Sequence, residues 1–139
     1  MPNAGDQFTI QLKHPHLNWG TFRHTHSRER VYGEAYIPIP AKYARQFKIY
    51  NSHTAQSSIY RCESSDGYLK KAYLKAVGCN RAGDKHAKQF QGNGNLKLLG
   101  DWLRYCKADI GDQVIVLFIA PNRIRLEHIA GQQLNFFNL

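Results

Sequence analysis

Two stretches of this chain concentrate hydrogen-bond donors and positive charge: Arg23-His24-Thr25-His26-Ser27-Arg28-Glu29-Arg30 and Asn80-Arg81-Ala82-Gly83-Asp84-Lys85-His86-Ala87-Lys88-Gln89-Phe90-Gln91-Gly92-Asn93. Arg, Lys, Asn and Gln are the side chains that both neutralise phosphates and pair two-pronged with base edges. Neither stretch has the apolar residues needed to pack a core, and each lies between segments that read as strands. Two such loops on one small basic domain imply a pair of arms closing on nucleic acid.

In the first arm Arg23, Arg28 and Arg30 can each form a fork to guanine O6 and N7 or grip a phosphate. A solvated basic loop is the plainer alternative, and the same signature in the second arm argues against it. Thr25, Ser27 and Tyr32 are phosphate-positioning donors, and His26 adds a ring donor beside them. In the second arm Asn80, Gln89 and Gln91 have the amide geometry for adenine, and Arg81 suits guanine. Asp84 repels phosphate, so it either accepts from cytosine N4 or holds Lys85 or Arg81 in place, with the second use preferred. Lys70, Lys71, Lys75, Lys85 and Lys88 read as phosphate contacts, some of them merely solvated.

Other chemistries fit less well. His14-x-His16 and His24-x-His26 put two imidazoles on one side of an extended chain, but no Cys or acid cluster completes four metal ligands. His86-x-Lys88 is half of a phospholipase-D-type nuclease motif. The acid wanted five residues after the Lys is Asn93, and a second copy of the motif is missing. No nucleotide-binding glycine loop and no nucleophile with an evident partner appears. The expectation is therefore no catalytic residues, no metal and no cofactor.

The elements that must position the arms belong to an ordinary globular composition, 42% apolar and 21% charged in 139 residues. That is enough chain for one domain with its own core. The net charge of +9, from 19 Lys+Arg against 10 Asp+Glu, favours a polyanion, nucleic acid first and an anionic membrane surface second. The excess is local. Residues 13–31 hold four Lys/Arg, four His and one acid, and residues 70–97 hold seven Lys/Arg and one acid. Met1-Pro2-Asn3-Ala4-Gly5-Asp6 lacks the features of a signal peptide, and no apolar run approaches membrane-spanning length. Cys62, Cys79 and Cys106 are an odd set without paired spacing, so reduced intracellular thiols are expected, in the cytoplasm or, in a eukaryotic host, the nucleus.

Residues 1–18 read as an N-terminal tail with one short alternating run, Phe8-Thr9-Ile10-Gln11-Leu12. A strand over 31–39 ends at Pro38-Ile39-Pro40, because proline offers no N–H to a ladder. Pro40 then suits the first turn of a helix over 41–47, with Tyr43 and Phe47 on one face. Residues 58–63 and 68–77 form a hairpin around Ser65-Asp66-Gly67. A loop over 78–95 follows, then a strand over 95–99 and a helix over 102–106 capped by Asp101. The continuously apolar run 113–119 reads as a buried central strand, and Ile124, Leu126 and His128 alternate with Arg125 and Glu127 in the last one. Many short strands, two short helices and no repeat imply a mostly β, mainly antiparallel barrel or sandwich with helices at its rim. The domain is placed at 19–131, with a C-terminal tail at 132–139.

The order of these features resembles the B3-type DNA-binding pseudobarrel: an Ile-Pro strand, a helix carrying Tyr43-Ala44-Arg45-Gln46-Phe47, a hairpin, an exposed loop, a short helix with Trp102, and a Gly-Asp turn feeding an apolar strand. Three runs are similar to the C-terminal recognition domain of NgoFVII-type restriction endonucleases. They are Tyr36-Ile37-Pro38-Ile39-Pro40, the stretch from Lys88 through Gly100-Asp101-Trp102-Leu103, and Pro121-Asn122-Arg123-Ile124-Arg125-Leu126. The resemblance implies a seven-stranded open pseudobarrel whose two arms enter the major groove, one just before the Ile-Pro strand and the other between the mid-chain strands. Those positions coincide with the two donor-rich stretches.

The leading expectation is a non-catalytic, sequence-specific double-stranded DNA-binding domain, the target-recognition part of a restriction endonuclease, with cleavage on another domain or subunit. A self-contained nuclease would need a complete acid or His cluster. A single-strand or RNA-binding β-barrel would need exposed aromatics, and the arms hold only Phe22 and Phe90.

Overall fold

Tyr60, Phe90 and Phe118 show how the chain closes on itself. Their rings meet in edge-on and tilted contacts, Tyr60 with Phe90 at 5.6 Å and with Phe118 at 5.7 Å, and Phe90 with Phe118 at 6.5 Å. All three are fully buried, which pushes the Tyr60 hydroxyl pKa up to about 12. The computed structural model describes residues 1–13, 16, 34–53 and 58–131. In it the elements run β1 (Gln7–Gln11), β2 (Ile37–Pro38), α1 (Ala41–Gln46), β3 (Ile59–Ser64), β4 (Ala72–Val77), β5 (Gln89–Gly92), α2 (Leu98–Tyr105), β6 (Gln113–Ala120) and β7 (Arg123–Ile129).

The strands form one seven-stranded sheet in the order β1-β6-β7-β3-β4-β5-β2. Every neighbouring pair is antiparallel except β3 with β7. Three strands separate β6 from β5 in this order, yet Phe118 and Phe90 touch. The sheet must therefore curl, and it closes nearly into a barrel with β1 and β2 at its two edges. The mostly β pseudobarrel with two short helices is the fold, with one parallel pair in it.

Alternation explains which residues turn inward. Val114, Val116 and Phe118 of β6 are buried, while Ile115, Leu117 and Ile119 are only half-covered. The run expected to be buried on both faces is therefore one-sided. Residues 1–18, expected to be a tail, carry β1, whose Phe8, Ile10 and Leu12 join the core as it pairs with β6 from Gln7↔Leu117 to Gln11↔Gln113. Phe8 stacks on Tyr43 (5.6 Å, 14°) and Tyr43 on Phe47 (5.6 Å, 17°), so α1 lies against β1 through the face read from its sequence.

The region 89–105 departs most from the sequence reading. Gln89–Gly92, expected within a loop, is β5, and 95–99 is a turn and helix start instead of a strand. Asn95 supplies the turn, accepting the N–H of Lys97 on its side chain and that of Leu98 on its carbonyl. Asp101, expected as the cap, lies inside the first turn of α2 and pairs with Arg104. Leu99, Trp102 and Leu103 share the buried face, the i, i+3, i+4 spacing of a helix. Gly92 permits the join between β5 and α2. A Cβ there would stand 2.0 Å from the carbonyl oxygen of Asn95 and 2.7 Å from Leu98 Cβ.

The hairpin forms as expected, with Gly67 at φ +81° and β3 paired to β4 from Ile59↔Lys75 to Cys62↔Ala72. Its second strand begins at Ala72, so Lys70 and Lys71 belong to the connection. Asp66 accepts from Ser64 Oγ (2.5 Å), the Tyr68 N–H (2.9 Å) and the buried Trp102 Nε1 (2.9 Å), fixing the hairpin tip to α2. No helix among the described residues is long and apolar enough to cross a membrane.

Candidate nucleic-acid interface

The second arm is the β4–β5 connection, residues 78–88. Gly78 (φ +79°) turns the chain out of β4, and a Cβ there would meet Lys88 Cβ at 3.2 Å. The Lys88 N–H donates to the Val77 carbonyl (2.9 Å) and closes the base. Gly83 (φ +80°) makes the tip, with the Asp84 N–H donating to the Arg81 carbonyl at 3.1 Å. Asn80, Arg81, Lys85 and Lys88 are exposed along this loop.

One buried side chain holds the loop in shape. Asn51 is 2% exposed, and its Nδ2 donates to the carbonyls of Gly78 (3.1 Å) and Asp84 (2.8 Å), one on each limb. Its backbone N–H reaches the Lys85 carbonyl (2.9 Å), the Ala87 N–H reaches Ile49 (2.9 Å), and Tyr50 bridges to His86. Residues 49–51 thus run as a short extra strand along 85–87. Lys85 Nζ stands 5.3 Å above the Tyr50 ring, a contact that aims the ammonium without removing it from water. None of this stapling was legible in the sequence, where Asn51 looks like any polar residue of a loop.

Asp84 does not hold Lys85 or Arg81, as its sequence position had led us to expect. Its Oδ1 accepts the His86 N–H (3.0 Å) and faces His86 Nδ1 (3.0 Å). The hydrogen bond from the His86 backbone, then that from its ring, keeps the Asp84 carboxyl below its ordinary value. The acid orders the loop from within.

Gln89 and Gln91, expected in the loop of the second arm, lie on β5 with their side chains on the outward face, opposite to buried Phe90. Phe90 is core and offers no stacking surface to a base. Gln91 pairs with Lys75 of β4, and Gln89 lies between Val77 of β4 and Pro38 of β2. Lys75, Gln89 and Gln91 therefore form a floor beside the second arm. Lys70 and Lys71 lie at the opposite end of β4, about 20 Å from the arm at the usual rise per residue. The first-arm candidates Arg23, Thr25, His26, Ser27, Arg28 and Arg30, with Tyr32, lie outside the described residues.

The described chain resumes at Glu34 and enters β2, which is antiparallel to β5 with Ile37 opposite Phe90. It therefore enters at the Gly92 end of β5, whereas the second arm enters at the Gln89 end. The described chain leading into β2 and the second arm thus reach opposite ends of one strand pair, with the outward amides of β5 between them.

Among the described residues no three His, Cys, Asp or Glu converge as metal ligands. The Cys62 and Cys106 thiols are both raised to about 12, chiefly by burial. Neither has the character of a nucleophile. No family model, curated protein or solved structure matches this chain.

Proposed function

We propose that this chain is a non-catalytic, sequence-specific double-stranded DNA-binding domain of the B3 type, the target-recognition part of a restriction endonuclease. Cleavage is assigned to a nuclease domain or subunit outside this sequence, and the compartment to the bacterial cytoplasm at the nucleoid. The observation that carries the reading is the stapled second arm, whose exposed Asn80, Arg81, Lys85 and Lys88 stand at one end of the β2–β5 pair. Outward-facing Lys75, Gln89 and Gln91 lie beside that arm. A duplex laid across that floor meets amides and cations beneath it and the second arm at its side. The exposed Asn80 and Arg81 are the base readers of the second arm, and Lys75, Lys85 and Lys88 grip phosphate.

Titration of fluorescent duplex against salt tests this. If about six phosphates are neutralised, log K against log[salt] falls with a slope of roughly −5. A flat response, or tighter binding to single strands than to duplex, overturns the proposal. The protein alone should leave DNA intact with Mg²⁺ or with a chelator. Cleavage that vanishes on mutation of His86 or Lys88 would instead make this a nuclease.

A further inference from the structure

The outward face of β4, β3 and β7 carries a second cluster that shares only Lys75 with the duplex reading. Tyr73 of β4 is 49% exposed and pairs in register with Arg61 of β3, which pairs in turn with Arg123 of β7. Ile59 (39% exposed) and Lys75 form the next row along the same face. Glu63 sits beside Arg123 (3.4 Å) and Arg125 (3.6 Å), one acid among four cations, and Glu127 lies two residues further along β7. Arg61 forms no ion pair among the described residues, and no described ring or cation covers Tyr73.

We infer that this face binds single-stranded nucleic acid, with an unpaired base stacked on Tyr73 and the adjoining phosphates held by Arg61 and Arg123. Two arguments select that occupant. An exposed aromatic beside guanidinium groups, with Arg61 unpaired by any acid among the described residues, is what unpaired nucleotides use, since every base has a stacking face and every linkage a charge. A base inside a duplex is stacked between its neighbours and has no free face to offer Tyr73. The second argument is curvature. The contact of Phe90 with Phe118 shows that the sheet curls, so the outer faces of β3 and β7 turn away from that of β5 and β2. A straight duplex seated on β5 cannot follow that bend, and a flexible single strand can. The inference does not depend on the duplex proposal, because its ligand is different and Tyr73, Arg61 and Arg123 lie outside the duplex floor.

The test compares a labelled oligothymidylate with a labelled duplex by fluorescence anisotropy, using wild type, Tyr73→Ala, Tyr73→Phe and Arg81→Ala. Tyr73 and Arg81 lie on the surface, and far-UV circular dichroism with thermal melting confirms that the variants fold. Tyr73→Ala should weaken oligothymidylate binding about tenfold, the typical loss of one stacked base, and leave duplex binding within about twofold. Tyr73→Phe should keep the single-strand affinity. Arg81→Ala should leave oligothymidylate binding unchanged. The inference is overturned if wild type does not bind oligothymidylate, which would leave the face to an acidic protein partner. It is also overturned if Tyr73→Ala has no effect, or weakens both ligands equally and so makes the face part of the duplex footprint.

Discussion

The side-chain amide of Asn51 donates to the Asp84 carbonyl at 2.8 Å, from a residue before the hairpin to the far limb of the second arm. With its bond to Gly78 it ties both limbs to one buried point. Asn51→Leu keeps the volume but strands two carbonyls, and should cost about 1–3 kcal/mol. Duplex affinity should fall as well, although Asn51 touches no ligand, because the arm then has to be ordered on binding. Urea denaturation and duplex titration of the same variant check both effects. Unchanged duplex affinity in a destabilised protein would mean that the arm does not bind in this shape.

Reading and gripping should separate by residue. Arg81 is exposed near the tip of the second arm, whereas Lys75 lies on the strand floor opposite Gln91. Arg81→Ala should cost about 1–3 kcal/mol on the preferred duplex and barely alter random-sequence binding. Lys75→Ala should weaken both by a similar factor and shallow the salt slope by about one unit or less. Sites selected from a random duplex pool supply the preferred sequence. Equal losses on both duplexes for Arg81→Ala would reduce the arm to a non-specific basic surface.

Gly92→Ala should be costly for a residue whose backbone angles are unexceptional. The added carbon would overlap the Asn95 carbonyl, which is backbone at the entry of α2 and cannot swing away. Displacing that turn should cost about 2 kcal/mol, a Tm loss on the order of 5–10 °C in a chain of this size. Thermal melting decides it. A loss under about 2 °C would mean that the join between β5 and α2 is far softer than its packing implies.

Much of the fold is local and therefore legible. Asp66-Gly67 marks the hairpin, Pro40 precedes α1, and the Tyr43–Phe47 spacing names its buried face. Errors arose where a local signal had two uses. Asp101 is a good cap by type, but Leu99, Trp102 and Leu103 bury as one helical face only if the helix starts earlier, and Asn95 already makes the turn. Gln89-Phe90-Gln91-Gly92 alternates like a strand, but its polar residues and the glycines around it read as loop. Phe90 betrays the strand only once Tyr60 and Phe118 are known to surround it. Of the candidate interface, Asn80, Arg81, Lys85 and Lys88 were readable by side-chain type. Asn51 and the Asp84–His86 pair were not, because their partners are set by chain folding and leave no mark in the local pattern.

A pH dependence should centre on Asp112 and its partner on β7. Asp112 is 6% exposed, and its carboxylate accepts the Gly131 N–H (2.7 Å) and the Asp109 N–H (2.9 Å) while facing His128 Nε2 at 2.8 Å. Burial opposes its ionisation, but the two backbone donors and the His128 ring outweigh burial and bring its pKa below the ordinary carboxylate value. A depressed folded pKa means that the folded state favours the ionised form. That contribution is complete above the unfolded pKa, near about 4, and is lost as pH falls through the lower folded value. Asp112→Ala removes the acceptor from two part-buried backbone N–H groups and should cost about 1–2 kcal/mol at pH 7. The gap between wild type and variant should narrow steadily below about pH 4, because protonated Asp112 no longer supplies the ionic part of those bonds. Urea midpoints at pH 7, 5, 4 and 3 measure it. A gap that stays constant, or widens toward acid, would mean that Asp112 stabilises the β6 turn by packing alone and that its charge is not what the Gly131 and Asp109 donors are holding.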